Sequence, residues 1–169
     1  MRLYLVRHGQ TDMNKNQMFY GWTDVDINAE GVRQAKRLRE YFREVQLDAI
    51  YSSDLRRAPH TAEIIASGKK MPVQYQSAFR ELYYGDWENQ TTAYIKEHYQ
   101  EELQGWVTDW KERTMPNGER FSAFYHRVAR GVDALIQENR GKQVLLVAHN
   151  GALSALLCHV AGAGMDGFW

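Results

Sequence analysis

The chain has little cysteine, little proline, no net charge and no long apolar run, and each shortage excludes a class of protein. A single cysteine, Cys158, in 169 residues rules out an internal disulfide. Its setting, Ala152-Leu153-Ser154-Ala155-Leu156-Leu157-Cys158, marks a buried, inert thiol. Lys plus Arg and Asp plus Glu each total 21, so no global basic excess exists to hold a nucleic acid or an anionic membrane. Any bound anion must be met by local charges. No apolar run approaches the roughly 20 residues of a membrane span, and residues 1–6 are too short for a signal-peptide core before Arg7, which points to a reducing cytoplasm. His60, His98, His126 and His159 lack the convergent spacing of a metal site, so no metal or other cofactor is expected. Repeats, low-complexity tracts and long polar linkers are missing too, which leaves one domain over residues 1–169.

What is present is alternation. Residues 3–6 form a short apolar run ended by Arg7-His8-Gly9 and read as a buried strand. From the N-cap Asn28, apolar Val32, Ala35, Leu38, Phe42 and Val45 recur at helical spacing. Residues 47–51 form a second strand that leads through Ser52-Ser53-Asp54, read as a helix cap, into the stripe Leu55, Ala58, Ala62 and Ile65. Pro59 places the start of that helix near Arg56, and Gly68 closes it. Residues 73–77 form a third strand and residues 143–148 a fourth, the latter with the continuous apolar character of a strand covered on both faces. Between them lie one or two helices over residues 93–111 and the long stripe Phe121, Phe124, Val128, Val132 and Leu135. Such alternation predicts an α/β fold, three layers α/β/α about a mostly parallel central sheet, with its ligand site outside the carboxyl ends of the strands.

The polar residues at those ends converge. Arg7-His8 follows the first strand, Ser52-Ser53 and Arg56-Arg57 the second, Arg80-Glu81 the third and His149 the fourth. Phosphoryl transfer spreads negative charge over equatorial oxygens, and arginine's planar fork matches two of them at once, a need that Arg7 and Arg57 fit. Adjacent helical residues diverge, so Arg56 points to solvent when Arg57 faces the site. A neutral imidazole such as His8 attacks phosphorus if its other nitrogen is held protonated, and a second imidazole, His149, donates to the same oxygens. A carboxylic acid must protonate the departing alkoxide, and Glu81 is the candidate. The run Phe19-Tyr20-Gly21-Trp22-Thr23 after the nucleophile loop is expected to line the pocket, with Gly21, Trp22 and Thr23 as its binding residues. The aromatic cluster Tyr83, Tyr84, Trp87, Tyr94, Tyr99, Trp106 and Trp110 is read mainly as helix packing, with a lid over the pocket as the alternative.

The motifs Arg7-His8-Gly9-Gln10-Thr11 with Asn14, Ser52-Ser53-Asp54-Leu55-Arg56-Arg57-Ala58 with Thr61-Ala62, Glu81 with Gly85 and Trp87-Glu88, Gly118-Glu119, and His149 with Gly151 run in order from residue 2 to about residue 160. Together they resemble the histidine phosphatase superfamily, also called phosphoglycerate mutase-like, and within it the phosphatase branch, in particular the α-ribazole phosphatases. The resemblance implies a phosphoglycerate mutase-like fold and phosphorylation of His8. It implies that Arg7, Arg57 and His149 cradle the phosphate, with Asn14 touching it and Asn150 beside them. Glu81 serves as acid and then as base for water, and neither a metal nor a cofactor is needed.

The implied substrate is a small phosphorylated metabolite, with no nucleic acid or membrane partner and a homo-oligomer left open. A cofactor-dependent phosphoglycerate mutase is the second reading, and a non-catalytic phosphate-binding regulatory protein the third. True mutases usually carry a longer insertion rich in basic residues between the acid and the second histidine, whereas the segment here between Glu81 and the stripe that starts at Phe121 offers only Lys96, Lys111, Arg113 and Arg120. Asn89, Pro59, Asn150 and Ser154 depart from the common pattern without removing a catalytic group. The resemblance further implies a helical insertion over the site at about residues 82–118. It also implies that the family's C-terminal strand, which follows the position of Trp169, is absent here.

Overall fold

The computed structural model describes residues 1–168; Trp169, and with it the expectation of an absent strand beyond, lies outside the described residues. The sheet consists of β1 (Arg2–Arg7), β2 (Ala49–Ser52), β3 (Val73–Tyr75) and β4 (Gln143–Ala148) in the order β1-β4-β2-β3. Every pairing is parallel: Arg2 to Arg7 stand opposite Gln143 to Ala148, Ala49 to Ser52 opposite Val144 to Val147, and Ile50 to Ser52 opposite Val73 to Tyr75. All four carboxyl ends therefore open on one rim.

Side-chain alternation along the strands builds a core on each face. Leu145 and Val147 of β4 join Val6 and Ile50 beneath α2 (Ala29–Phe42) and α3 (Arg57–Ala66), against Phe42, Ala58, Ala62 and Ile65. Val144, Leu146 and Ala148 point the other way with Ala49 and Tyr51. There they meet α6 (Phe121–Glu138) through Phe124, Val128 and Val132, and α7 (Asn150–Val160) through Ala152, Ala155 and Leu156. The three-layer α/β/α arrangement read from the sequence is the one found. The short α1 (Asp12–Lys15) follows the first strand, and α4 (Thr92–His98) and α5 (Gln100–Thr108) form two separate helices inside the segment read as one or two.

Local chemistry explains most boundaries. Asn28 caps α2 by accepting the Gly31 N–H at 3.0 Å, and the helix stops at Phe42, which leaves Val45 outside it though still packed on the core. α3 begins at Arg57, so Pro59 sits in its first turn, where a missing N–H costs nothing. The side-chain cap expected from Ser52-Ser53-Asp54 does not form, because both Asp54 oxygens accept from Arg80, from Nε and Nη2 at 2.7 Å each, and the two serines are buried. β3 stops at Tyr75 rather than at residue 77, where a 3-10 turn, Ser77–Phe79, swings Phe79 into the core.

Candidate active site

The first strand delivers its histidine directly onto the rim. His8 Nδ1 lies 2.8 Å from the Gly9 carbonyl, so Nδ1 carries the proton and donates, while Nε2 keeps its lone pair. Burial pushes the imidazole down to about 3, and the positive charge of Arg57 adds to the effect against the Gly9 hydrogen bond. His8 is thus a neutral base with one directed lone pair. Its loop is held from two helices: the Gly9 N–H donates to Thr61 Oγ1 of α3 at 3.0 Å and the Gln10 N–H to Gln34 Oε1 of α2 at 2.9 Å. Gly9 and Gly31 pass so closely that a Cβ on Gly9 would stand 2.6 Å from the Gly31 carbonyl oxygen.

Arg57 is fully buried and most of its fork is occupied. Nη2 donates to the Gly21 carbonyl at 2.6 Å, Nη1 to the Thr23 carbonyl at 3.0 Å, and Nε to His149 Nδ1 at 3.2 Å, while its plane lies 4.6 Å over Tyr20. Arg57 is nonetheless among the residues that line the cavity. Because Arg57 Nε can only donate, His149 Nδ1 must accept, so the ring's proton sits on Nε2, 2.8 Å from Ser53 Oγ. Both nitrogens of this fully buried imidazole are engaged by the protein, and His149 is not among the residues lining the cavity. His149 thus braces Arg57, and its ring centre stands 5.2 Å from that of His8. Burial, reinforced by the Arg57 charge, holds its pKa well below the ordinary histidine value.

Glu81 follows the turn after β3 and its two oxygens are placed by backbone N–H groups. Leu82 donates to Oε1 and Gly151, in the first turn of α7, to Oε2, both at 3.0 Å. Burial raises the pKa of the carboxyl, and these two hydrogen bonds only partly oppose it, which favours a protonated acid at the cavity wall.

The cavity measures about 290 Å³ and is lined by Arg7, His8, Asn14, Arg57, Glu81 and Asn150 at its polar end. Met18, Phe19, Tyr20, Tyr84 and Phe168 supply most of its apolar wall. Arg7 is exposed, and it also borders a smaller recess with Gln10, Asn14 and Gln34. Asn14 Oδ1 is taken by the N–H and hydroxyl of Thr11, at 3.1 and 3.2 Å, and its side chain also hydrogen-bonds the Tyr20 phenol at the cavity wall.

Gly21, Trp22 and Thr23 do not line the cavity. Their amides are gathered behind it by Glu88, which accepts from Gly21 and Trp22 on Oε1 at 2.8 and 3.0 Å and from Thr23 on Oε2 at 2.9 Å. Of the run expected at the pocket, Phe19 and Tyr20 do form its wall. Of the aromatic cluster only Tyr84 reaches the cavity, while Trp87 and Ile95 are buried in the core with Trp106 and Trp110 packed on it. Tyr84 was read from the sequence only as part of the cluster whose alternative role was a lid over the pocket. Burial, together with the charges of Glu81 and Glu88, raises its pKa, so its phenol is a lasting donor beside the acid.

No cluster of three or more metal-ligating side chains occurs among the described residues, and no described helix is long and apolar enough to cross a membrane. Residues 3–169 match the histidine phosphatase superfamily, branch 1. The adenosylcobalamin/alpha-ribazole phosphatase of Escherichia coli (strain K12) is 33% identical over 169 residues, all of this chain and 83% of that protein. Phosphoserine phosphatase 1 of Hydrogenobacter thermophilus is 29% identical over all of this chain and 80% of its own length. The crystal structure of the alpha-ribazole phosphatase from Shigella flexneri superposes with a TM-score of 0.94 at 32% identity, covering all of this chain and 84% of that one.

Proposed function

As this chain belongs to branch 1 of the histidine phosphatase superfamily and is a phosphoric monoester hydrolase, we propose that it dephosphorylates a small metabolite through a phosphohistidine at His8. The observation that carries this reading is the Nδ1 hydrogen bond of His8, which leaves Nε2 free in the cavity it shares with Glu81. In the first step the Nε2 lone pair forms a bond to phosphorus as the ester P–O bond breaks, and Glu81 gives its proton to the leaving oxygen. In the second, the Glu81 carboxylate takes a proton from water, whose oxygen attacks phosphorus. The N–P bond breaks, its electrons return to His8, and phosphate leaves. Arg7, Arg57 and Asn14, which line the cavity, meet the oxygens, with His149 and Ser53 behind Arg57.

The apolar wall of Met18, Phe19, Tyr20, Tyr84 and Phe168 suits an alcohol that carries an aromatic group, and α-ribazole 5′-phosphate is the leading candidate. Among the described residues, the cavity wall has no cation besides Arg7 and Arg57. A second phosphate or a carboxylate, as mutase chemistry requires, would lack a partner there. A cytoplasmic location belongs to the same proposal.

Hydrolysis of 4-nitrophenyl phosphate in excess chelator tests the chemistry: the wild type turns over and His8→Ala does not, whereas loss of wild-type activity on chelation overturns it. A panel of α-ribazole 5′-phosphate, phosphoserine and 3-phosphoglycerate with its bisphosphorylated primer tests the substrate. The highest kcat/KM is expected on the first, and formation of 2-phosphoglycerate in preference to free phosphate would identify a mutase.

A further inference from the structure

We propose that Arg127 of α6 is a positioning residue for the acid, clamping the main chain at the root of Glu81 so that its carboxyl group stands opposite His8. This rests on the reading of Glu81 as general acid and extends it to a residue that contacts neither substrate nor phosphate. Arg127 Nη1 donates to the carbonyls of Ala78 at 3.0 Å and Arg80 at 3.1 Å, and Nη2 to that of Glu81 at 3.3 Å. Glu119 fixes the guanidinium itself, accepting from Nε at 3.0 Å and from Nη2 at 2.8 Å.

The same carboxylate reaches the far side of the acid. Glu119 Oε2 accepts the Tyr83 N–H at 3.3 Å, and the Glu119 N–H returns a bond to the Tyr83 carbonyl at 2.9 Å. A third element joins in. Trp22 Nε1 donates to the Glu81 carbonyl at 2.9 Å, and the guanidinium groups of Arg80 and Arg127 stand 4.8 and 6.0 Å from the centre of the Trp22 ring. Glu81 is thus gripped at its tip by α7, through Gly151, and at its root by α6, through Arg127.

A grip of this kind is needed where it is found. The segment from Ser77 to Leu82 follows a three-residue edge strand and leaves the sheet, so its carbonyls have no ladder to join. An acid carried on an unladdered segment can swing by an ångström, and an error of that size costs on the order of a hundredfold in rate. An arginine kept only for stability would not have to spend its fork on the carbonyl of the acid and on two of the three residues before it. Three helical positions past buried Phe124, Arg127 reads in the sequence as the solvated edge of an amphipathic stripe, which is why pattern alone passes over it.

The test uses leaving groups of different basicity, because only a basic one needs the proton. Release of the alcohol in a single turnover, with enzyme in excess, is compared for 4-nitrophenyl phosphate and an alkyl phosphate such as butyl phosphate. Glu81→Gln should slow the alkyl ester far more than the nitrophenyl ester. Arg127→Met should reproduce that split in weaker form, with the alkyl rate down about 10- to 100-fold and the nitrophenyl rate within about threefold. Should Arg127→Met not fold, Trp22→Phe, which removes the N–H bonded to the Glu81 carbonyl together with part of the ring that meets Arg80 and Arg127, is expected to show a smaller split of the same sign. Equal slowing of both esters in whichever of these variants folds, beside a steep Glu81→Gln, overturns the positioning role alone. A Glu81→Gln enzyme that keeps the wild-type ratio overturns the acid assignment and this inference with it.

Discussion

His8, Arg57, Glu81 and His149 are all buried, and burial sets the proton on each titrating one in the sense the chemistry needs. His8, held down to about 3, is neutral throughout the ordinary range, so the attack proposed for it needs no prior loss of a proton. Glu81, raised by burial, keeps its proton to higher pH than a free carboxyl. The alkaline limb of kcat/KM on an alkyl phosphate should therefore follow loss of the Glu81 proton and disappear from the residual rate of Glu81→Gln. Stability carries the opposite signature of His8. Below its ordinary value of 6.5 the unfolded chain takes up a proton that the folded chain refuses until about 3, so stability is lost as pH falls through that window. The loss reaches about 2 kcal/mol between pH 6.5 and 5. Urea unfolding at pH 5 and pH 7 should give a smaller difference for His8→Asn than for wild type. At Gly151 the limit is space: a Cβ there would overlap Glu81 Oε1 and stand 3.1 Å from the carboxyl carbon. The far end of a side chain can move aside, so Gly151→Ala should change Tm by only a few degrees while lowering kcat at least about tenfold, since it turns the acid. An unchanged kcat would show that Glu81 tolerates the displacement.

Among the elements, α2 shows how a helix can serve a catalytic loop. Its first turn receives the loop after β1 so closely that a Cβ on Gly31 would overlap the Gln10 carbonyl and stand 2.8 Å from the Gln10 nitrogen. Alanine would add about 1 kcal/mol of helix propensity over glycine, but backbone on the other side cannot swing away as a side chain can, and overpacking costs about 1–3 kcal/mol. The clash should win. Gly31→Ala is expected to lower both Tm and kcat, and a Tm above wild type would refute the close approach. Elements of this kind are the legible ones. β4, α2 and α6 were read from periodicity because burial of one stripe, or of both strand faces, leaves its mark on every residue. The placing of Gly21, Trp22 and Thr23 was not legible, since the Glu88 carboxylate that holds them binds backbone amides 65 to 67 positions away, and backbone leaves no side-chain pattern. The engagement of His149 by Ser53 and Arg57 was hidden likewise, because the motif places those residues at the site without saying which nitrogen faces which partner.

For the whole molecule, charge balance and topology together set how substrate arrives. The parallel sheet brings His8, Arg57, Glu81 and His149 to one rim from four strand ends, and that convergence was readable because each follows an apolar strand run. The balance of 21 cations against 21 anions leaves no broad field around that rim. Of the two cations lining the cavity, Arg57 is buried and largely satisfied by carbonyls, so Arg7 is the one that meets solvent. Attraction of a phosphate dianion is then a short-range matter of one guanidinium group at the cavity. Raising ionic strength from about 0.01 to 0.15 M shortens the screening length from about 30 to 8 Å, which erases long-range steering but spares contact at the pocket. The kcat/KM for a phosphate monoester should accordingly fall by less than about threefold over that range, while Arg7→Gln should lower it by about ten- to a hundredfold through a lost charge-assisted hydrogen bond. A decline of tenfold or more with salt in the wild type would mean that surface charges beyond the cavity guide the substrate, and that the zero net charge conceals a directed field.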